Sequence, residues 1–491
     1  MEKKSYIVGV DIGSSQVIIT VGCMREEGVV EVLGIETQPV GDSVRNGSIE
    51  NVIRLGQAIS RAKSELEHTL NIRIQEAYAG ISGGAVYCAK YSDHVFIRNH
   101  TDGCIAPEDM RELDERMLKV ATGNGDEILE RIPQRYIIDD QQEVSDPVGR
   151  YGKKLSAEFL FLLCNSRQKD RVGHAFHNAG LKLLGLCIKP AVMPELLLSK
   201  EEREYGVAIV DIGAHLTDIS IVRGGHLCYF ASLPIGGASI NQDLLAFVQT
   251  SKEEIEKVKR RYGSVVPSEI PENTTVAVKM PGRPNKVILH RNIAEITEAR
   301  AKDIAKFVQT EIREAKFSSK IACGIVLTGG TALLNGIDEL FAREMNSSVR
   351  LGDTLYGIDE ESQQNIASYS QSAAVAILLY GAKSKPCSAV EIVRPATTVT
   401  PPPTTAKPTT TVKPTATATT HATPPVAPPT TTTVAPPTTT TTVTPPPTTE
   451  TPPPTPPTPP TSIDTRSKGM FGRISDWFDS IVKGNSDNYL E

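Results

Sequence analysis

No two cysteines in this sequence are spaced as CxxC, and none of the eight, at 23, 88, 104, 164, 187, 228, 323 and 387, falls into another metal-ligand spacing. Several sit in apolar runs such as FLFLLC, so they read as reduced core residues, and a disulfide or zinc framework is excluded. Long hydrophobic runs are missing too. None approaches the roughly 20 residues of a membrane-spanning helix, and MEKKSYIVGVDIG enters a strand without an apolar signal core, so the body is expected to be neither integral nor exported. There is no long basic block, and 52 Lys and Arg against 58 Asp and Glu leave a formal charge of −6. Nucleic acid is therefore not an expected partner. Aromatic residues make up only 5%, and the one tryptophan, Trp477, stands close to the C-terminus, far from the apolar body.

What is present is a chain of 491 residues, 39% hydrophobic, long enough for two or more domains with real cores. Its composition breaks sharply near residue 394. From there to 463 it is almost entirely Pro, Thr, Ala and Val, and 22 of the 34 prolines fall after Val393. Proline removes backbone donors and fixes φ, and threonine adds little burial, so 388–465 is expected to be a disordered spacer. Fully extended it would reach on the order of 200 Å at about 3.1 Å per residue. A glycosylated stalk has the same composition; without an export signal a cytosolic tether is the better reading. Beyond it, Met470, Phe471, Ile474, Trp477, Phe478, Ile481 and Val482 recur at helical spacing, which predicts an amphipathic helix within 466–484 lying in a membrane interface.

The body contains a repeat. YIVGVDIGSSQVIITVG (6–22) returns as GVAIVDIGAHLTDISIV (206–222), each with Asp-Ile-Gly, at 11–13 and 211–213. In both, a β-branched apolar run ends at Asp and Gly, a short polar turn follows, and a second alternating run leaves, which predicts two β-hairpins. Glycine lets a backbone approach an anion closely, and the aspartate can hold Mg²⁺ through water. One such turn is weak support for a phosphate site; two facing across a cleft are stronger. A third turn, Thr328-Gly329-Gly330-Thr331 in GIVLTGGTALLNGIDEL (324–340), and Gly236-Gly237 in LPIGGASINQDLLAF (233–247) have the same character. In SKEEIEKVKRR (251–261), Glu256 and Lys259 lie one turn apart on one helical face. That pair is either a solvated surface or, in series with the glycine turns, a clasp for a nucleoside.

The order DIGSSQV, AYAGISGGAV, GVAIVDIG, PIGGASIN, LTGGTALLNGIDEL, SYSQSAAVAILLYG, then a linker and an amphipathic tail, resembles FtsA, the actin-like cell-division family of bacteria. The resemblance covers about 6–381. It implies an α/β fold of the actin and heat-shock chaperone ATPase superfamily, two domains around a nucleotide cleft, with an inserted 1C subdomain replacing the usual small subdomain of the first half. The expected boundaries are 5–84, 165–205 and 369–387 for the first domain, 85–164 for the insertion, and 206–368 for the second domain, with a small subdomain at about 239–306.

By resemblance, ATP with Mg²⁺ is the cofactor and Asp11 and Asp211 lie near the metal. Ser14, Ser15 and Gly213 meet the phosphates, Gly13, Gln16, Ala214 and His215 belong to the nucleotide site with them, Gly236, Gly237, Gly329 and Gly330 line the nucleoside side, and Glu256 and Lys259 flank the adenosine. No catalytic residue is assigned, and hydrolysis is expected to be weak or absent. The implied partners are the C-terminal peptide of the tubulin-like FtsZ, held within 239–306, further copies of the chain in a filament, other division proteins, and an anionic membrane touched by Phe471, Ile474, Trp477, Phe478 and Ile481. The implied place is peripheral, on the cytoplasmic face of the inner membrane at the division site. Two positions depart from the family pattern. Gln16 stands where relatives often carry lysine, and bulky His215 stands in a turn that is usually glycine-rich, so nucleotide is expected to bind weakly. An ATPase or kinase of the same superfamily and a pilus-assembly adaptor are the alternatives; a kinase needs a catalytic base and a substrate pocket that the sequence does not show, and the pilus reading does not explain the terminal stripe.

Overall fold

The computed structural model describes residues 6–25, 28–97, 103–120, 122, 125–366 and 369–384 and the strand Glu391–Ile392. The terminal stripe and nearly all of the expected spacer lie outside the described residues. Within 388–465, Glu391–Ile392 pairs with Ile72–Arg73 as a two-stranded ribbon, because the apolar AVEIV precedes the first proline of the Pro/Thr run.

Two five-stranded sheets share one plan. In the first, the order is Lys182–Ile188, Glu76–Ile81, Tyr6–Ile12, Gln16–Met24, Val30–Pro39. In the second it is Val349–Leu351, Ile325–Thr328, Val207–Ile212, Thr217–Arg223, His226–Leu233. Each repeat hairpin is antiparallel, with a third antiparallel strand on one side and two parallel strands on the other. The strands of the repeat are buried on both faces, so they read as continuous apolar runs rather than as alternation. Parallel neighbours need crossovers, which the helices Val52–Leu70 and Ser166–Asn178 provide in the first sheet.

The two halves differ in where extra chain is let in. In the second half, the helices Gly237–Val248 and Lys252–Tyr262, a hairpin of Thr275–Met280 with Arg283–Leu289, and the long helix His290–Glu314 fill the connection between the third and fourth strands in chain order. In the first half, the inserted module enters one connection later, after Glu76–Ile81. Its sheet runs Gln142–Val144, Asp126–Ile138, Lys154–Asn165, Val86–Phe96, covered by the helix Pro107–Leu118. It has its own small core around Leu113, Met117, Phe159 and Phe161. The module also touches the second sheet, where Gln134 Nε2 donates to Leu227 O at 2.9 Å.

The helix Ser372–Lys383 packs on the first sheet beside the helix Lys189–Leu197. Gly80 makes that approach possible: a Cβ there would lie 2.2 Å from Ile377 Cδ1. The first core continues through Val207, Ile209 and Phe230 into the second half, so a shared apolar core joins the two sheets.

Candidate functional site

The two Asp-Ile-Gly turns are built alike. Gly13 N donates to Gln16 O at 3.1 Å, and Gly213 N to Leu216 O at 2.9 Å, so Ser14-Ser15 and Ala214-His215 are the corresponding turn tips. They meet across a cleft of about 650 Å³, within the size range of small-molecule sites. Asp11, Gly13, Ser14, Ser15, Gln16, Asp211, Gly213, Ala214, His215, Glu256, Lys259, Gly329 and Gly330 all line it. Gly236 and Gly237 are placed elsewhere. Gly237 N donates to Gly213 O at 2.9 Å and Ala238 N to Ala214 O at 2.7 Å, so the start of that helix braces the second turn from behind. Gly329, at φ +89°, is a position only glycine fills without strain, and a Cβ there would lie 2.3 Å from Asp211 Oδ1.

The floor of the cleft is charged. Asp211 and Asp218 stand directly opposite in the second hairpin, a like-charge pair that needs compensation. Asp218 Oδ1 accepts from Ser232 Oγ at 2.5 Å. The compensating cation is Lys189, whose Nζ lies 3.1 Å from Asp11 Oδ1, both side chains about nine-tenths buried. Register explains the reach. Asp11, Gly80 and Cys187 are aligned across three strands, Lys189 follows two residues on, and the missing side chain of Gly80 clears the way for its stem, with Lys189 Cγ only 3.2 Å from where a Cβ would sit. Ser220 Oγ, from the second sheet, donates to Pro190 O at 2.6 Å and fixes the start of that helix.

Burial acts first on these groups. It pushes the Asp211 carboxyl up to about 7, with Asp218 and Asp11 adding to the rise and Lys189 opposing it, and it raises Asp218 as well. Burial would lower Lys189, but Asp11, then Asp218 and Asp211, outweigh it and hold the ammonium above its ordinary range. His215 is lowered by burial and by Arg45 and Lys259, and its Nδ1 has no partner. On the opposite wall Glu256 accepts from Lys259 at 2.8 Å, Asn241 at 2.6 Å and Arg260 at 2.7 Å, while Lys259 also donates to Gly237 O at 3.1 Å. The pair is therefore part of the cleft wall.

Comparison with known proteins places this geometry. A model of the family described as cell division protein FtsA matches residues 208–376, and a model of the SHS2 domain inserted in FtsA matches residues 83–163. The cell division protein FtsA of Pseudomonas aeruginosa is 29% identical over 384 residues, covering 78% of this chain and 90% of that protein. The chain belongs to the FtsA family. The cell division proteins FtsA of Escherichia coli K12 and Bacillus subtilis are 26% and 27% identical, over 80% and 72% of this chain and 94% and 80% of their own lengths. Among solved structures, the PilM–PilN type IV pilus biogenesis complex superposes with a TM-score of 0.53 at 16% identity, covering 77% of this chain and 98% of that one, a likeness of fold alone. The fold is thus actin-like, two domains with the FtsA-type insertion.

Gln16 brings no charge to the cleft, and a cation enters it from Lys189. Neither Lys189 nor Asp218 stands out in the sequence as a site residue. The available signal for Lys189 is one charge in the otherwise apolar and prolyl run from Leu183 to Pro194. The residues fit a phosphate group: two glycine turns and an ammonium converge on one cleft. They do not fit a divalent ion held on Asp11 and Asp211 as expected. Asp11 Oδ1 is already paired with the Lys189 ammonium at 3.1 Å.

Proposed function

We propose that this chain is a cell-division adaptor that binds ATP between its two domains, assembles with further copies of itself, and ties FtsZ filaments to the cytoplasmic face of the inner membrane at the division site. The observation that carries the reading is the convergence of both Asp-Ile-Gly turns and Gly329-Gly330 on a single cleft. A nucleoside polyphosphate matches it, with the phosphates at the Ser14-Ser15 and Gly213-Ala214 turns and the adenosine between Glu256 and Lys259 on one side and Gly329 on the other. Magnesium is expected beside Asp11 and Asp211, and Asp11 Oδ1 there pairs with the Lys189 ammonium.

The small subdomain within 239–306 is the proposed seat of the FtsZ C-terminal peptide, and the stripe at 466–484 is the proposed membrane contact, with other division proteins joining at the same place. No helix among the described residues is long and apolar enough to cross a membrane, which agrees with a peripheral attachment through that stripe. The decisive experiment is co-sedimentation of the full chain with anionic vesicles, with and without FtsZ and with and without ATP. The chain should pellet with vesicles and bring FtsZ down with it. FtsZ left in the supernatant at every nucleotide condition would sink the adaptor reading. Calorimetry with His215→Gly supplies a second check, since removing the ring from the turn should leave ATP affinity equal or tighter.

A further inference from the structure

The Asp211–Asp218 pair sets an electrostatic problem that this fold meets with a side chain of its own. Two carboxyl groups opposite one another in a hairpin, with Asp11 at the end of the facing strand, put three acids where a polyphosphate would enter, and a cation there favours its binding. A divalent ion is one solution, held through one or two carboxylates and the phosphates themselves. Here the first turn carries the uncharged Gln16, and an ammonium reaches the floor by another route. Lys189 starts from the edge strand, passes over Gly80 and ends 3.1 Å from Asp11 Oδ1, nine-tenths buried. Its placement is over-determined: strand register sets its position along the sheet, the glycine clears its path, and Ser220 pins the helix it begins. It also lines the cleft rather than lying beneath it.

We propose that Lys189 is the resident counter-ion of this cleft, contacting the nucleotide phosphates directly, so that ATP binds without a divalent cation. The inference rests on the cleft being a nucleotide site. A lysine ammonium is a compact point charge that binds phosphate without demanding coordination geometry. It lowers the repulsion between floor and phosphates, and it is already paired with Asp11 Oδ1.

The test is calorimetric titration of the full chain with ATP in two buffers, one with magnesium and one with excess EDTA. The expected result is the same affinity in both, within about threefold. A loss of more than about tenfold in EDTA overturns the proposal. Absence of binding in both buffers instead removes the nucleotide reading itself, and the inference with it. Lys189→Gln should bind at least about tenfold more weakly than the parent in EDTA and recover part of that loss with magnesium, whereas Lys189→Arg should stay independent of metal. Lys189→Gln with parental affinity in EDTA also overturns the proposal. If Lys189→Gln fails to fold, as judged by circular dichroism, the parent in the two buffers and Lys189→Arg still decide the outcome.

Discussion

Glu256 keeps its charge against its surroundings. Burial would raise its carboxyl, but Lys259, Asn241 and Arg260 pull it down to about 2 from an ordinary 4.5. An acid held below its unfolded range stabilises the fold above that range and loses the contribution as pH falls from about 4.5 through about 2. The side chain is 34% exposed, so solvent screens much of the effect, and the contribution at pH 7 should be on the order of 1 kcal/mol. Glu256→Gln is therefore expected to lower unfolding free energy by about that much at pH 7, with the gap narrowing steadily as pH drops below 4.5. Urea melts at several pH values check it, and a gap constant with pH would assign the loss to packing. At this scale the sequence is legible where the chemistry is local. The Asp-Ile-Gly turns are visible because Asp, Gly and the turn residues are adjacent in the chain, and their repetition supplies the pairing. Lys189 is invisible for the opposite reason: it meets Asp11 from 178 positions away, and only the alignment of three strands brings them together.

Between elements, the contact of helix Ser372–Lys383 with the first sheet depends on strand positions without side chains. The apolar character of SAAVAILLYGAK predicts burial on all sides, but not which strand it crosses. Likewise the repeat predicts two hairpins, whereas the parallel strands beside them follow from crossovers that no local pattern encodes. Gly80 is where the two levels meet, since a methyl there would strike Ile377 Cδ1 at 2.2 Å and crowd Lys189 Cγ at 3.2 Å. Gly80→Ala should cost about 1–3 kcal/mol by overpacking, and Ile377→Ala about 2–5 kcal/mol by leaving a cavity. Combined, they should cost at least about 1 kcal/mol less than their sum, because the new methyl occupies the space that Ile377 vacates. Chemical denaturation of the four proteins in this double-mutant cycle measures it, and strict additivity would show that the helix does not ride on Gly80. If Lys189 is the residual source of strain in the double variant, ATP affinity in EDTA should fall even where stability is recovered.

For the whole molecule, the body and the terminal stripe pose different problems to the same sequence. The body announces itself through a duplicated plan, and the inserted module is visible as extra chain between Gly84 and Cys164, although its entry one connection later than in the second half emerges only from strand order. The stripe is proposed from periodicity alone, since it lies outside the described residues. Lys468, Arg473 and Lys483 can meet anionic headgroups, and Asp476 and Asp479 keep the far side wet. Seven apolar side chains, each partly buried, contribute on the order of 5 kcal/mol gross, so one chain should bind a membrane reversibly while an assembly of many copies holds firmly. A segment meant to dock on its own body would not need a spacer that can reach on the order of 200 Å. Trp477→Glu with Phe478→Glu places two charges in the middle of the stripe, and the variant should move to the soluble fraction with anionic vesicles present while ATP binding is unchanged. The truncated body ending at 384, compared alongside, should also stay soluble. Pelleting of either protein to the extent of the parent would show that the stripe is not the anchor, and that membrane contact has to be sought on the body itself.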